Sequence, residues 1–137
     1  MTRLSFRPCR WLAALALAAA LPAAATADVD LPPVDQVFVL SASATAHDRV
    51  DVRWQIAKGY YLYRHRTSVK TDPGFANATL ALPSGDKHRD EFFGDVETYR
   101  GQLIGTLSGQ PAATATSVRL TVKYQGCADA GVCYPPQ

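Results

Sequence analysis

Strict alternation of apolar and polar residues is the feature of this sequence that most restricts its fold. In two segments every second side chain is apolar: Val50, Val52, Trp54 and Ile56 within Asp48–Ile56, and Val118, Leu120, Val122 and Tyr124 within Ser117–Tyr124. A period of two places alternate side chains on opposite faces of a β-strand. The sequence therefore predicts two strands, each with one buried face.

Weaker apolar segments extend the same pattern along the chain. Four more strands are predicted, at Gln36–Leu40, Tyr60–Arg64, Thr79–Leu82 and Leu103–Leu107. Turn-forming residues separate these segments, and no stretch after residue 27 keeps an apolar period of 3.6 residues over ten positions. Roughly seven short strands in a domain of about 110 residues favour an all-β fold, an antiparallel β-sandwich of immunoglobulin-like type.

The N-terminus has the three-part pattern of a secretory signal peptide. A basic start is followed by 11 apolar residues, Trp11–Leu21, and by the small residues Ala25-Thr26-Ala27. The apolar run is well short of the ~20 residues that a membrane-spanning helix requires. We therefore predict a signal peptide over residues 1–27 and one exported domain over residues 28–137.

The charge of the chain changes once residues 1–27 are set aside. All 12 acidic residues follow Ala27, but only 11 of the 14 basic residues do, so the domain has a net charge of −1. This balance gives no indication of a nucleic-acid or anionic-membrane partner. Cys9 also lies in the predicted signal peptide. Two cysteines, Cys127 and Cys133, remain in an exported chain, where disulfides form and persist.

Cys127 and Cys133 flank a predicted turn. They directly follow the strand predicted at Ser117–Tyr124, and Asp129 and Gly131 between them are typical turn residues. Such a hairpin-like loop can bring the two Cβ atoms to the separation of about 3.8 Å that a disulfide needs.

Three interpretations of the two cysteines remain open on chemical grounds. A structural disulfide that closes seven residues stabilises by only about 2.4 kcal/mol in the chain-entropy treatment. A metal site needs further ligands, and the three histidines are scattered without ligand spacing, at His47, His65 and His88. The third interpretation is a redox pair, whose small ring opens and closes without unfolding the domain.

The stretch around the cysteines resembles the signature of a known family. The run from Gly126 to Pro136, GCADAGVCYPP, is similar to the N-terminal periplasmic domain of DsbD, the bacterial thiol:disulfide interchange protein. Two upstream blocks are similar in the same order: Trp54–Arg64 to the aromatic strand region of the family, and Asp90–Gly94 to its cap loop. The family more typically has Tyr at the place of Phe93. The resemblance covers essentially the whole chain after residue 27.

The resemblance implies an immunoglobulin-like sandwich with a redox cysteine pair, acting without cofactor or metal as one domain of a protein-disulfide reductase. Such a domain accepts electrons from a membrane-embedded domain of the same polypeptide, which is supplied by cytoplasmic thioredoxin through a thioredoxin-like C-terminal domain. It passes them to periplasmic thioredoxin-fold proteins such as disulfide isomerases and cytochrome c maturation factors.

The chain stops at Gln137, where a final strand is expected, so we interpret it as a truncated N-terminal domain. The rival is a periplasmic binding or scaffold domain with a purely structural disulfide.

The resemblance also assigns roles to individual residues. Cys133 is expected to form the mixed disulfide with a partner and Cys127 to resolve it. Phe92 is the candidate cap over the sulfurs, with ordinary core packing as the alternative. The remaining candidates form the environment of the site, and Phe93 and Gly94 belong to its cap loop. On electrostatic grounds, the carboxylates of Asp90 and Glu91 are expected to disfavour a nearby thiolate, with ordinary solvated loop residues as the alternative. Tyr61 and Tyr63 share one face of a strand, where they either line the site or only pack on the sheet.

Overall fold

The computed structural model describes residues 30–137, and the predicted signal peptide lies outside this range. The described residues begin with a one-turn helix, α1 (Val34–Val37), and a short 3-10 turn interrupts the strands at Arg64–Arg66. Neither helical segment in this part of the chain has the length or apolar character to cross a membrane. The strands are β1 (Phe38–Ala46), β2 (Arg49–Ile56), β3 (Tyr60–Tyr63), β4 (Ser68–Thr71), β5 (Phe75–Ala81), β6 (Asp86–Asp90), β7 (Gly94–Tyr99), β8 (Gln102–Pro111), β9 (Leu120–Lys123), β10 (Gly126–Ala128) and β11 (Val132–Cys133).

The strands form antiparallel sheets that pack as a sandwich. One sheet has the order β1-β2-β8-β5 and the other has the order β11-β10-β3-β7-β6. The two-stranded sheet β4-β9 continues from the second one, because β4 follows β3 and β9 precedes β10. The amide of Tyr63 donates to the carbonyl of Gln125 at 3.1 Å where the two parts meet. The prediction of an all-β, immunoglobulin-like antiparallel sandwich is confirmed.

The main core lies between the two large sheets. Trp54 of β2 and Leu62 of β3 are both 0% exposed, and Phe38 at the start of β1 is 1% exposed. The buried face predicted for residues 48–56 is confirmed, since its four apolar side chains are at most 5% exposed. The second alternating segment is half-buried at Leu120 and Val122, because β9 pairs only with β4 in the small sheet.

The bounds of several predicted strands were wrong. Strands β5 and β8 are longer than the predicted Thr79–Leu82 and Leu103–Leu107, and two other segments were predicted to extend two or more residues beyond a strand. The segment Ser117–Tyr124 contains only the short strand β9, because Arg119 bonds to Asp72 rather than to a ladder partner: its amide donates to Asp72 Oδ2 at 3.0 Å and its carbonyl accepts the Asp72 amide at 3.1 Å. In Gln36–Leu40, the first two residues belong to α1 instead of a strand. The carbonyl of Pro33 accepts the amide of Gln36 at 3.0 Å and starts that turn.

Strands β4, β6 and β7 were missed, and β10 and β11 were expected only as the ends of a hairpin-like loop. The estimate of about seven strands was therefore too low. The sequence of β6 is Asp-Lys-His-Arg-Asp, and all its residues except Asp90 are exposed. An edge strand with both faces in water has no hydrophobic alternation to detect. Strands β6 and β7 are antiparallel, with Asp86 opposite Thr98 at one end of the ladder and Asp90 opposite Gly94 at the other. The cap loop is the turn that connects them.

Candidate active site

A second apolar cluster lies on the face of the five-stranded sheet that points away from the main core. Leu62 faces the main core, so its neighbours Tyr61 and Tyr63 project from the opposite face of β3. These two tyrosines are packed with Val96 and Cys127, and the side chains of Phe93 and Cys133 pack against this group. The structure thus brings both cysteines, both tyrosines and one cap-loop aromatic to one place.

The two cysteines form a disulfide between neighbouring strands. Cys127 of β10 is directly opposite Cys133 of β11, with their Cα atoms 3.9 Å apart. Cys127 is 0% exposed, whereas Cys133 is half-buried on the outermost strand of the sheet. Pro135 and Pro136 follow it, and they lack the amide that further ladder pairing would need. Cys133 is therefore the more exposed cysteine of the pair.

A glycine allows β10 to lie against the core. Gly126 is opposite Leu62 in the ladder, and a Cβ at Gly126 would overlap the ring of Phe38 and the carbonyl of Tyr61. Because Gly126 has no side chain, the Phe38 ring packs directly on the backbone of β10. This contact fixes the position of Cys127, the next residue. In the sequence, Gly126 is recognisable only as part of the family signature, and nothing in a single sequence marks a close contact of this kind.

A chain of polar contacts links the buried cysteine to the cap loop. The hydroxyl of Tyr63 lies 3.6 Å from Cys127 Sγ and donates a hydrogen bond to Asp90 Oδ2 at 2.6 Å. The hydroxyl of Tyr61 lies 3.5 Å from the same carboxylate oxygen. Burial, together with the hydrogen bond to Asp90, raises the pKa of Tyr63 far above its usual value. Tyr63 therefore keeps its proton, and that proton is directed at Asp90.

Asp90 also organises the backbone of the cap loop. Its Oδ1 atom accepts the amides of Phe92 at 2.7 Å and of Phe93 at 2.9 Å. Burial alone raises the pKa of the Asp90 carboxyl, but the hydrogen bonds from Tyr63 and from these two amides outweigh burial, so the pKa lies below its ordinary value. The folded protein thus favours a charged Asp90 that accepts hydrogen bonds from both the sheet and the loop.

The lowered pKa of Asp90 predicts an acid-dependent loss of stability. A carboxyl with a lower pKa when folded stabilises the protein above the pKa of the unfolded chain, near 3.9, and this stabilisation is lost as the pH falls through the folded value. We expect the free energy of unfolding of Asp90→Asn to fall less steeply than that of the wild type below about pH 5. Urea denaturation at a series of pH values measures this, with the exposed residue Asp86, changed to Asn, as the control. Parallel pH profiles of the unfolding free energy for Asp90→Asn and wild type would contradict a lowered pKa of Asp90 in the folded protein.

Phe93 anchors the cap loop to the aromatic and basic side chains of β3 and of the 3-10 turn that follows it. Its ring centroid lies 4.9 Å from that of Tyr63 and 5.1 Å from that of His65, and the guanidinium of Arg66 lies 4.6 Å from the Phe93 centroid. Phe92, the predicted cap, is 45% exposed. The packed cap-loop aromatic is therefore Phe93, and Phe92 is the one in contact with solvent.

The cap loop also approaches the turn between the cysteines, Asp129–Gly131, here called the cysteine turn. Glu91 Oε1 lies 3.5 Å from the position that a Cβ would take at Gly131, and Gly94 begins β7 with φ +76°. Since Phe93 packs in the cluster of the cysteines and Glu91 reaches the cysteine turn, the cap loop and the disulfide are direct neighbours.

Two groups of site residues were not predicted from the sequence. His65 and Arg66 pack on Phe93, and Arg100 pairs with Asp129 of the cysteine turn at 2.8 Å. Partial burial and the neighbouring charge of Arg66 lower the pKa of His65, with Asp90 opposing this effect. All are polar residues whose partners are distant in sequence, so no local pattern marks them. Among residues 30–137, no three His, Cys, Asp or Glu side chains come together as a metal site.

Fold and site together define a β-sandwich domain with a disulfide between an edge strand and its neighbour, beside a loop that carries aromatic and carboxylate side chains. The family described as "Thiol:disulfide interchange protein DsbD, N-terminal" matches residues 28–137. The chain belongs to this family.

Similar proteins agree with this assignment. The chain is 47% identical over 107 residues to thiol:disulfide interchange protein DsbD of Escherichia coli O157:H7, which covers 77% of this chain and 18% of that protein. It is 46% identical over 144 residues to DsbD of Ralstonia nicotianae, covering 99% and 23% respectively. The chain thus spans about a fifth of the length of these curated relatives.

Two solved structures from Neisseria meningitidis are similar in fold. The DsbD N-terminal domain in its reduced form matches with a TM-score of 0.62 and 37% identity, over 78% of this chain and 84% of that one. A DsbD N-terminal domain in complex with the PilB N-terminal domain matches with a TM-score of 0.61 and 36% identity, over 79% and 83%.

Proposed function

We propose that this domain is a periplasmic thiol–disulfide exchange module, in which Cys127 and Cys133 cycle between dithiol and disulfide. The observation that supports this most directly is the unequal exposure of the two cysteines, with Cys127 fully buried and Cys133 half-buried on an edge strand. A cross-link that only stabilised the sandwich would need no access from outside, whereas exchange requires a disulfide sulfur that a thiolate can reach.

The exchange step follows from this asymmetry. The thiolate of Cys133 attacks one sulfur of a partner disulfide, forms a mixed disulfide and releases the second partner sulfur as a thiolate. The thiolate of Cys127 then attacks Cys133 Sγ, and the first partner sulfur leaves as a thiolate. Two electrons pass to the partner, which takes up two protons as its thiols form, and the Cys127–Cys133 disulfide closes. The directly opposed positions of the two cysteines favour this second, intramolecular attack.

The proposed partners have thioredoxin folds, such as disulfide isomerases and cytochrome c maturation proteins of the periplasm. The complex of the Neisseria DsbD N-terminal domain with the PilB N-terminal domain supports a role in which this type of domain docks to another protein. The proposed electron donor is a membrane-embedded redox domain of the parent polypeptide. The relatives' greater length is consistent with additional domains of this kind.

The cap loop is proposed to protect the pair between encounters. Phe92 would lie over the sulfurs and move aside when a partner docks, which its 45% exposure and its place in a turn permit. Phe93 would serve as the fixed point, because it packs on Tyr63 and under Arg66. In the reduced protein, the Cys127 thiol is placed to donate to the Tyr63 oxygen, whose own proton is directed at Asp90.

The carboxylates of Asp90 and Glu91 are proposed to slow the reaction of the reduced pair with stray oxidants. A nearby negative charge disfavours the thiolate, which is the reactive form. We expect the reduced Asp90→Asn/Glu91→Gln variant to be alkylated by iodoacetamide at pH 7 roughly three to ten times faster than the wild type. Asp86→Asn, which removes an exposed carboxylate at the other end of β6, is the control. Equal alkylation rates in all three proteins would contradict this role.

Covalent trapping of a thioredoxin-fold partner by single-cysteine variants tests the proposed function. Exchange requires that one variant holds the partner as a mixed disulfide, and failure of both variants to do so would contradict it.

A further inference from the structure

Arg100 links the five-stranded sheet to the cysteine turn through its contacts with Tyr60, Tyr61 and Asp129. Its Nη2 atom lies 2.8 Å from Asp129 Oδ1, and its guanidinium lies 4.8 Å from the centroid of the Tyr61 ring. Its Nη1 atom is 3.5 Å from the carbonyl oxygen of Tyr60. A planar guanidinium can stack on an aromatic ring and pair with a carboxylate at the same time, which a lysine ammonium cannot do.

The hairpin that Arg100 contacts is short. Strands β10 and β11 share only two residue pairs, Cys127–Cys133 and Ala128–Val132, and the first of these carries the disulfide. Backbone hydrogen bonds assist at both ends. At the turn, the Asp129 amide donates to the Gly59 carbonyl at 2.8 Å and the Gly131 amide donates to the Ala128 carbonyl at 3.0 Å. At the open end, the Tyr134 amide donates to the Gly126 carbonyl at 3.0 Å, and Tyr124 and Gln137 exchange two bonds at 3.2 and 2.9 Å. When the disulfide is reduced, the hairpin loses its covalent link. The bonds of Tyr134 and Gln137 then hold its open end, and Arg100 is the side chain whose ion pair holds the turn.

From this geometry we propose that Arg100 is a positioning residue that holds the cysteine hairpin closed while the disulfide is open. The inference rests on the proposed exchange function and adds a residue to it. Because Arg100 binds through Asp129 and Tyr61, its contacts do not depend on the redox state of the sulfurs. They keep the Cys127 thiol opposite Cys133, raise its effective concentration and so favour closure of the disulfide.

The test compares the disulfide equilibrium of the full chain with glutathione in matched variants. Arg100→Gln is expected to lower the equilibrium constant for closing the Cys127–Cys133 disulfide by about two- to tenfold, since an exposed ion pair and a cation–π contact are both modest. Arg89→Gln is the control, because it also removes an arginine from an exposed ion pair, with Asp95 at 3.4 Å, but lies on β6. It should leave the constant unchanged.

Amide hydrogen exchange separates this role from general stabilisation. In Arg100→Gln, the amides of Asp129 and Gly131 should exchange faster in the reduced protein and at the wild-type rate in the oxidised protein. Asp129→Asn should reproduce the effect, and the double variant should add little to it. Equal equilibrium constants for Arg100→Gln and Arg89→Gln would overturn the inference. Because glutathione replaces the protein partner, that result is distinguishable from a wild-type domain that exchanges with no thioredoxin-fold protein, which would overturn the proposed function instead.

Discussion

The Cys127→Ala variant is expected to accumulate as a mixed disulfide with a thioredoxin-fold partner and to stop multiple turnover completely. Its remaining cysteine after residue 27, Cys133, lies half-buried on the edge strand β11 and can attack the partner, but no second thiol lies opposite it to release the product. Non-reducing gel electrophoresis and mass spectrometry of the purified pair measure the trapped species. They also identify which cysteine of this chain is bonded.

The matched variant is Cys133→Ala. It loses the same disulfide, so the loss of about 2.4 kcal/mol of loop-closure stabilisation is common to both variants. Its remaining thiol belongs to Cys127, which is 0% exposed, and we expect it to trap the partner much more slowly. Efficient trapping by Cys133→Ala together with none by Cys127→Ala would reverse the proposed order of the two cysteines.

Gly126→Ala is expected to be the most destabilising single methyl addition near the site. A Cβ there would overlap the Phe38 ring and the Tyr61 carbonyl, and a backbone carbonyl paired in a ladder has little freedom to move. Overpacking of this type costs about 1–3 kcal/mol, and we expect the upper end, with a fall in Tm of roughly 10–20 °C. Denaturation followed by the fluorescence of Trp54 measures it, since Trp54 is fully buried and is the only tryptophan after residue 27.

Gly74→Ala provides the comparison for this substitution. The Cβ added at Gly74 would meet the Asp72 carboxylate at 3.1 Å and Ala115 at 4.0 Å, and the carboxylate can shift. We expect the cost of this change to remain below about 1 kcal/mol. A Gly126→Ala protein as stable as Gly74→Ala would show that β10 does not depend on its close contact with Phe38.

The fold was predictable where burial produces a regular pattern. Strand β2 alternates because one face lies in the main core, and the sequence predicts its buried residues correctly. Strand β6 was missed because it is an exposed edge with no apolar face. The length of β9 was overestimated, since alternation continues to Val118 but the backbone of Arg119 bonds to Asp72 outside any strand.

The candidate site was predictable for residues within a specific motif and not for residues brought in by tertiary contacts. The spacing of Cys127 and Cys133 around a turn allowed a disulfide, which the structure contains, although a metal site also remained open on chemical grounds. The pairing of Arg100 with Asp129 and the packing of Arg66 on Phe93 join residues about 30 positions apart in the chain. They depend on how β3, β7 and β10 lie side by side, which no local pattern shows.

The central claim is that the Cys127–Cys133 disulfide takes part in exchange and is not a permanent cross-link. The most direct measurement is its reduction potential, obtained by equilibrating the domain with defined ratios of reduced and oxidised glutathione or dithiothreitol. We predict a potential more oxidising than about −300 mV, in the range where thioredoxin-fold proteins can accept electrons from the pair. A potential below about −300 mV, typical of structural disulfides, would contradict the proposed function.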